Sequence, residues 1–232
     1  MIRCILFDLD DTLYPQQSGV MDRIRERMLC YLRSRLNLSL DEADALRRHY
    51  FQTYGTTMRG LQINYQIDTE EYLAYVHNIP LQEYLGANAR LDSVLASIPE
   101  TKVVFTNSSR EHATRVLDLL GVRHHFERII DVRDVGYESK PQPTAYQLAC
   151  DLLGVRPEEC VLIDDNTRNL HPAKALGMTT VLIRDGSAAE PTYASAGPAD
   201  GSADHIISCI EEIGKVMDDI HEQSLVSGSG CS

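Results

Sequence analysis

Ile5-Leu6-Phe7 runs straight into Asp8-Leu9-Asp10-Asp11-Thr12 with no polar spacer. A short continuous apolar run of this kind suits a strand buried on both faces of a parallel sheet. Asp8 then falls at the strand tip, on the carboxyl edge where open α/β sheets bind ligands. Asp10, two residues on, is within reach of the same site.

Beyond Tyr14-Pro15 the pattern turns helical. Val20, Ile24, Met28, Tyr31 and Leu32 recur at helical spacing. Ser39 with Glu42 reads as a capping box, Asp68-Thr69-Glu70-Glu71 starts a further helix, and Pro80 ends it. Tyr54-Gly55-Thr56-Thr57-Met58-Arg59-Gly60-Leu61 reads as a Gly-flanked break that carries an arginine.

From Lys102 the strand–helix alternation returns. Apolar strands are predicted at Val103–Phe105, Ile129-Ile130, Val161–Ile163 and Thr180–Ile183, and Ser108 with Glu111 predicts a capping box after the first of them. Residues 185–203 read as loop, with a short edge strand at 203–207 and a final amphipathic helix through Ile210, Ile213 and Met217. The expected fold is a Rossmann-like α/β core with helices on both faces of a parallel sheet. Residues 1–14 and 96–221 form that core, 15–95 an inserted all-helical cap, and 222–232 a disordered tail.

Lys and Arg number 22 against 34 Asp and Glu, a net charge of -12, which argues against a nucleic-acid polymer as partner. A local cation can still dominate at a small phosphate ester, because surface charge is screened within about 8 Å at physiological salt. No apolar run reaches the ~18 residues of a membrane span. The first residues carry no basic-plus-apolar leader, so a cytoplasmic location is expected. The six cysteines include no CxxC pair and read as thiols in a reducing compartment. A monomer or homodimer with no membrane partner is expected.

Polar signals follow four of the apolar stretches: Asp8/Asp10, Thr106/Asn107, Lys140 and Asp164/Asp165. In a parallel sheet all these ends share one edge. Clustered carboxylates repel unless a cation relieves them, and Mg²⁺ takes one or two carboxylates plus phosphate oxygens. Asp8 and Asp165 are the candidate direct ligands, with Asp10 adding its backbone carbonyl and Asp164 orienting a bound water. Asp8 is the candidate nucleophile on phosphorus and Asp10 the candidate acid and base. Thr106, the Asn107 N–H and the following helix N-terminus suit phosphate oxygens, and Lys140 adds a fixed positive charge.

The order Asp8-Leu9-Asp10-Asp11-Thr12, Thr106-Asn107, Lys140-Pro141, Asp164-Asp165-Asn166 resembles the haloacid dehalogenase-like hydrolase superfamily. The resemblance implies the same roles for these residues, and a cap that closes over the site and selects substrates. Asn169 departs from the pattern, standing where many members carry a second acidic residue. Asp11-Thr12-Leu13-Tyr14-Pro15 and the stretch from Tyr54 to Leu61 are similar to the pyrimidine 5′-nucleotidase family. That likeness implies a Mg²⁺-dependent phosphomonoesterase acting on UMP or CMP, with Arg59, Tyr54, Tyr14 and Asn169 as candidate specificity residues. Alternatives are a phosphatase of another small ester such as a sugar phosphate, a metal-independent haloacid dehalogenase, and a non-enzymatic phospho-receiver module.

Overall fold

The computed structural model describes residues 1–184 and 201–228. Its core is a six-stranded sheet in the order β3-β2-β1-β4-β5-β6, with every pairing parallel. The strands are β1 (Cys4–Phe7), β2 (Thr101–Phe105), β3 (Arg128–Ile130), β4 (Cys160–Asp164), β5 (Thr179–Ile183) and β6 (His205–Ile207). β1 lies between β2 and β4, which explains its unbroken apolar run: both faces are covered. Alternate side chains go to opposite faces. Ile5, Phe7, Val104 and Ile163 enter one apolar cluster, while Cys4, Leu6, Phe105 and Leu162 enter the other. Truncating Leu6 to Ala in such a core costs about 2–5 kcal/mol.

Helices α1 (Val20–Leu36), α2 (Leu40–Tyr54), α3 (Thr57–Tyr65) and α4 (Thr69–Val76) follow β1. They bury a separate cluster around Tyr31, Leu32, Tyr50, Leu61 and Tyr72. Ser39 and Glu42 form the expected capping box, and Asp68 caps α4. Gly60 sits where a Cβ would lie 2.3 Å from the Tyr50 ring, so only glycine lets α2 and α3 approach this closely.

The expected cap boundary at residue 95 does not follow the packing. Ile79 and Leu81 already belong to the sheet-side cluster, and α5 (Ala89–Ser97) places Leu91 and Leu95 there. α5 packs on the C-terminal helix α9 (Ile213–Gly228), with Asn88 Nδ2 donating to Glu211 Oε1 at 2.9 Å. Its helical period alone could not tell which hydrophobic cluster it serves. The tail expected from residue 222 is helical as far as Gly228. Residues 229–232, and residues 185–200 of the expected loop, lie outside the described residues.

The remaining helices, α6 (Arg110–Leu120), α7 (Pro143–Leu153) and α8 (Thr167–Ala175), each connect one strand to the next. Among the described residues no helix is long and apolar enough to cross a membrane.

Candidate active site

The polar strand ends do meet. Asp8, Asp10, Thr106, Asn107, Lys140 and Asp165 all line one cavity of about 150 Å³ between the sheet edge and the cap. Register explains the convergence. Phe7 pairs with both Val104 and Ile163, so the residues just beyond β1, β2 and β4 emerge side by side.

Lys140 is 1% exposed and joins two carboxylates, with Nζ 2.9 Å from Asp8 Oδ1 and 2.7 Å from Asp164 Oδ2. Burial opposes its charge, but Asp164 and Asp8 outweigh that and raise its pKa, keeping the ammonium protonated. The loop that delivers it is pinned by Asn107, whose Nδ2 donates to the Lys140 carbonyl at 2.9 Å while its Oδ1 accepts from the Lys140 N–H at 2.8 Å. On the cap side Gly55, at φ +88°, leaves no room for a side chain: a Cβ there would lie 2.7 Å from Pro141 Cδ.

Asp10 is held differently. Its Oδ1 accepts from Tyr14 Oη at 2.5 Å and lies 2.8 Å from His112 Nε2, and its Oδ2 accepts from Ser108 Oγ at 2.5 Å. Burial alone would raise its pKa, but His112, Ser108 and Tyr14 together hold it well below the usual carboxylate range. Asp8 goes the other way, pushed up to about 7 by burial and by Asp164 and Asp10 against the pull of Lys140. Two carboxylates two residues apart are therefore tuned in opposite senses, a pattern that marks functional sites.

Ser108 was expected to cap α6. Ser109 does so instead, accepting from the His112 N–H at 3.3 Å, and Ser108 is released to hold Asp10. His112 was not expected in the site. Its only sequence signal is its place in the first turn of the helix that leaves the β2 tip. The His112 ring stacks on His77 from the end of α4, with centroids 4.4 Å apart and planes 14° from parallel.

The acidic cluster suits a cation. Carboxylate oxygens of Asp8, Asp164 and Asp165 lie within 4.8 Å of one another. Asp165 is raised well above the usual range by burial, Asp164 and Asp8, the signature of negative charge with too little compensation. Oxygen-only donors and crowded carboxylates fit Mg²⁺. Asp164 itself is fully buried behind the cavity. Its oxygens accept from Lys140, Asn169 Nδ2 and the Asn166 N–H, so it anchors the lysine. Asn169, which lines the cavity, thus orients Asp164.

The other expected specificity residues are placed elsewhere. Arg59 lies on α3, not on a loop, and does not line the cavity; its guanidinium pairs with Glu138 at 2.9 Å and Gln62 at 2.8 Å. Tyr54 accepts from Asn64 Nδ2 at 3.2 Å, also off the cavity. Tyr14 is buried and reaches the site only through Asp10.

A sequence model described as a haloacid dehalogenase-like hydrolase matches residues 2–177. Phosphate metabolism protein 8 from Saccharomyces cerevisiae is 29% identical over 78% of this chain, and the chain spans 61% of that protein's length. A glyceraldehyde 3-phosphate phosphatase from Methanopyrus kandleri is 26% identical over 80% of this chain and 85% of its own. Among solved structures, a HAD phosphatase from Thermococcus onnurineus shares the fold, with a TM-score of 0.60 at 21% identity over 93% of this chain and 98% of the other.

Proposed function

This chain belongs to the haloacid dehalogenase-like hydrolase family, and from that premise we propose that it is a Mg²⁺-dependent phosphomonoesterase acting on a small phosphate ester. The observation that carries the reading is the oppositely tuned pair on one cavity floor, Asp8 against Lys140 and Asp10 beneath Tyr14, Ser108 and His112. The likeness to a glyceraldehyde 3-phosphate phosphatase supports phosphoryl chemistry.

In the first half-reaction an Asp8 oxygen attacks phosphorus, the ester P–O bond breaks, and the leaving alkoxide takes a proton from Asp10. The network keeps Asp10 ionised in the free protein, so the proton it gives the alkoxide is one it takes from the monoanionic phosphate ester as that ester binds beside it. In the second, water attacks the aspartyl phosphate, Asp10 accepts the water's proton, and Asp8 is regenerated with release of inorganic phosphate. Thr106, the Asn107 N–H and the start of α6 hold the non-bridging oxygens. Lys140 balances charge at Asp8 throughout. Asp8 and Asp165, with the Asp10 carbonyl, are the residues that would hold Mg²⁺; when bound, the ion supplies positive charge to the phosphoryl oxygens.

The finer reading, a pyrimidine nucleoside 5′-monophosphate as substrate, rests on the Asp11-to-Pro15 and Tyr54-to-Leu61 stretches. The test is phosphate release from p-nitrophenyl phosphate, UMP, CMP and glycerol phosphate, with Mg²⁺ and after EDTA. Mg²⁺-dependent release and an acid-stable phosphoenzyme absent from Asp8→Asn are expected. Full activity of that variant, or halide release from 2-chloropropionate without any phosphate release, overturns the proposal. UMP and CMP turnover below that of glycerol phosphate removes the nucleotide form alone.

A further inference from the structure

The cap's contribution to the cavity lining is mostly apolar and carries no acidic or basic side chain other than His77. Met21, Ile24 and Met28 come from α1, Phe51 from α2, Met58 from α3 and Val76 from α4. No carboxylate, lysine or arginine of the cap joins them. Of the four polar cap side chains that line the cavity, Tyr72 stands edge-on to Tyr31 with ring centroids 5.0 Å apart, and the other three make hydrogen-bond contacts within the protein. Thr56 Oγ1 accepts from the Arg59 N–H at 3.1 Å, Thr57 Oγ1 donates to the Arg47 carbonyl at 3.5 Å, and His77 Nδ1 lies 3.0 Å from Ser109 Oγ. His77 adds no charge either, since burial, with His112 beside it, holds its pKa well below the ordinary histidine value.

We infer that the substrate is the monophosphate of a largely apolar alcohol, an inference that rests on the phosphomonoesterase reading above and replaces its nucleotide form. The polar floor accounts for the phosphoryl group. What remains for the alcohol half is a roof that offers dispersion and removal from water but few free hydrogen-bond partners. A hydroxyl-rich or carboxylate-bearing alcohol half would lose water there without replacement, at a cost. Methionine at three lining positions gives a soft, adaptable surface that fits varied hydrocarbon outlines. The cavity measures about 150 Å³ and is partly open, so its volume sets how much of the alcohol half leaves water rather than how large that half can be.

The test is kcat/KM for linear alkyl monophosphates from methyl to octyl, measured with Mg²⁺ beside n-propyl phosphate's polar counterpart glycerol 3-phosphate, phosphoglycolate and UMP. Leaving-group basicity is nearly constant along the alkyl series, so the trend reports the roof. A rise of about fourfold per methylene is expected through the short members, from the transfer energy of a buried CH₂, ending once the chain outgrows the cavity. n-Propyl phosphate should exceed glycerol 3-phosphate at least about tenfold, and Met28→Gln should flatten the slope. A flat alkyl series, or glycerol 3-phosphate, phosphoglycolate or UMP ahead of n-propyl phosphate, overturns the inference. If p-nitrophenyl phosphate is still hydrolysed with Mg²⁺ in that case, the phosphatase reading stands without it. Failure to hydrolyse any ester, p-nitrophenyl phosphate included, removes both.

Discussion

On the sheet side of the cavity, Asp10 meets three side chains and Lys140 joins two buried carboxylates. On the cap side, Met21, Met28 and Met58 bring no donor at all. The floor is a directional network in which each polar group fixes its neighbours, and such networks fail badly when half satisfied. The roof is non-directional packing, which tolerates change in shape while volume and apolarity are kept. Substitutions in the floor should therefore act on chemistry, on stability or on both, whereas those in the roof should act on substrate choice.

The largest expected effect is at Asp8. Asp8→Asn should lower phosphate release by about 10⁴-fold or more while circular dichroism stays native, and activity near wild type would break the contrast at once. Next is Lys140→Met, which leaves Asp8 and Asp164 buried without their shared cation. Urea unfolding should report a loss of about 3–5 kcal/mol; a loss under 1 kcal/mol would mean the floor is looser than described.

His112→Phe should lower kcat on an alkyl phosphate by about 10²-fold, and by much less at the bond-breaking step with p-nitrophenyl phosphate, whose leaving group needs no proton. His112→Gln keeps a donor toward Asp10 and should recover part of the loss. Equal effects on both esters in single-turnover measurements would reduce His112 to a packing role.

The smallest effect belongs to the clasp between cap and core. Glu70 on α4 accepts from Arg133 Nη2 at 2.7 Å and from Tyr137 Oη at 2.5 Å. Arg133 and Tyr137 depress its pKa to about 2. The folded value is depressed, so this contribution is complete above the ordinary glutamate range and is lost as pH falls toward about 2. The glutamate side chain is 51% exposed, so solvent screening limits Glu70→Gln to about 0.2–1 kcal/mol at pH 7. The difference should shrink in urea titrations at pH 3.

The floor was legible because its chemistry sits at strand tips. A buried parallel strand announces itself by continuous apolar residues, and the polar residue ending it lies on the functional edge by construction. Asp8, Thr106 and Asp165 share that logic, whereas Lys140 is delivered by the loop between β3 and α7. His112 and Ser108 escaped because their roles depend on where α6 begins, and a one-residue shift of the cap from Ser108 to Ser109 reassigns both. Arg59 was misplaced because Thr56, not Gly60, marks the break: Thr56 caps α3, and Arg59 then turns toward Glu138. The boundary near α5 was hidden because amphipathic periodicity names a buried face without naming what buries it.

β1 and β2 are neighbours in the sheet, yet all four cap helices lie between them in the chain. The excursion departs and rejoins at adjacent positions on the sheet, and Val20 and Ile24 at its start pack into the sheet-side core. The mostly apolar roof and the acidic floor of the cavity are thus carried by different stretches of one polypeptide, and under the proposed function these would set selectivity and reactivity respectively. A lineage could redraw what the enzyme accepts, by insertion, loss or drift in the excursion, while the machinery that breaks the bond is inherited unchanged.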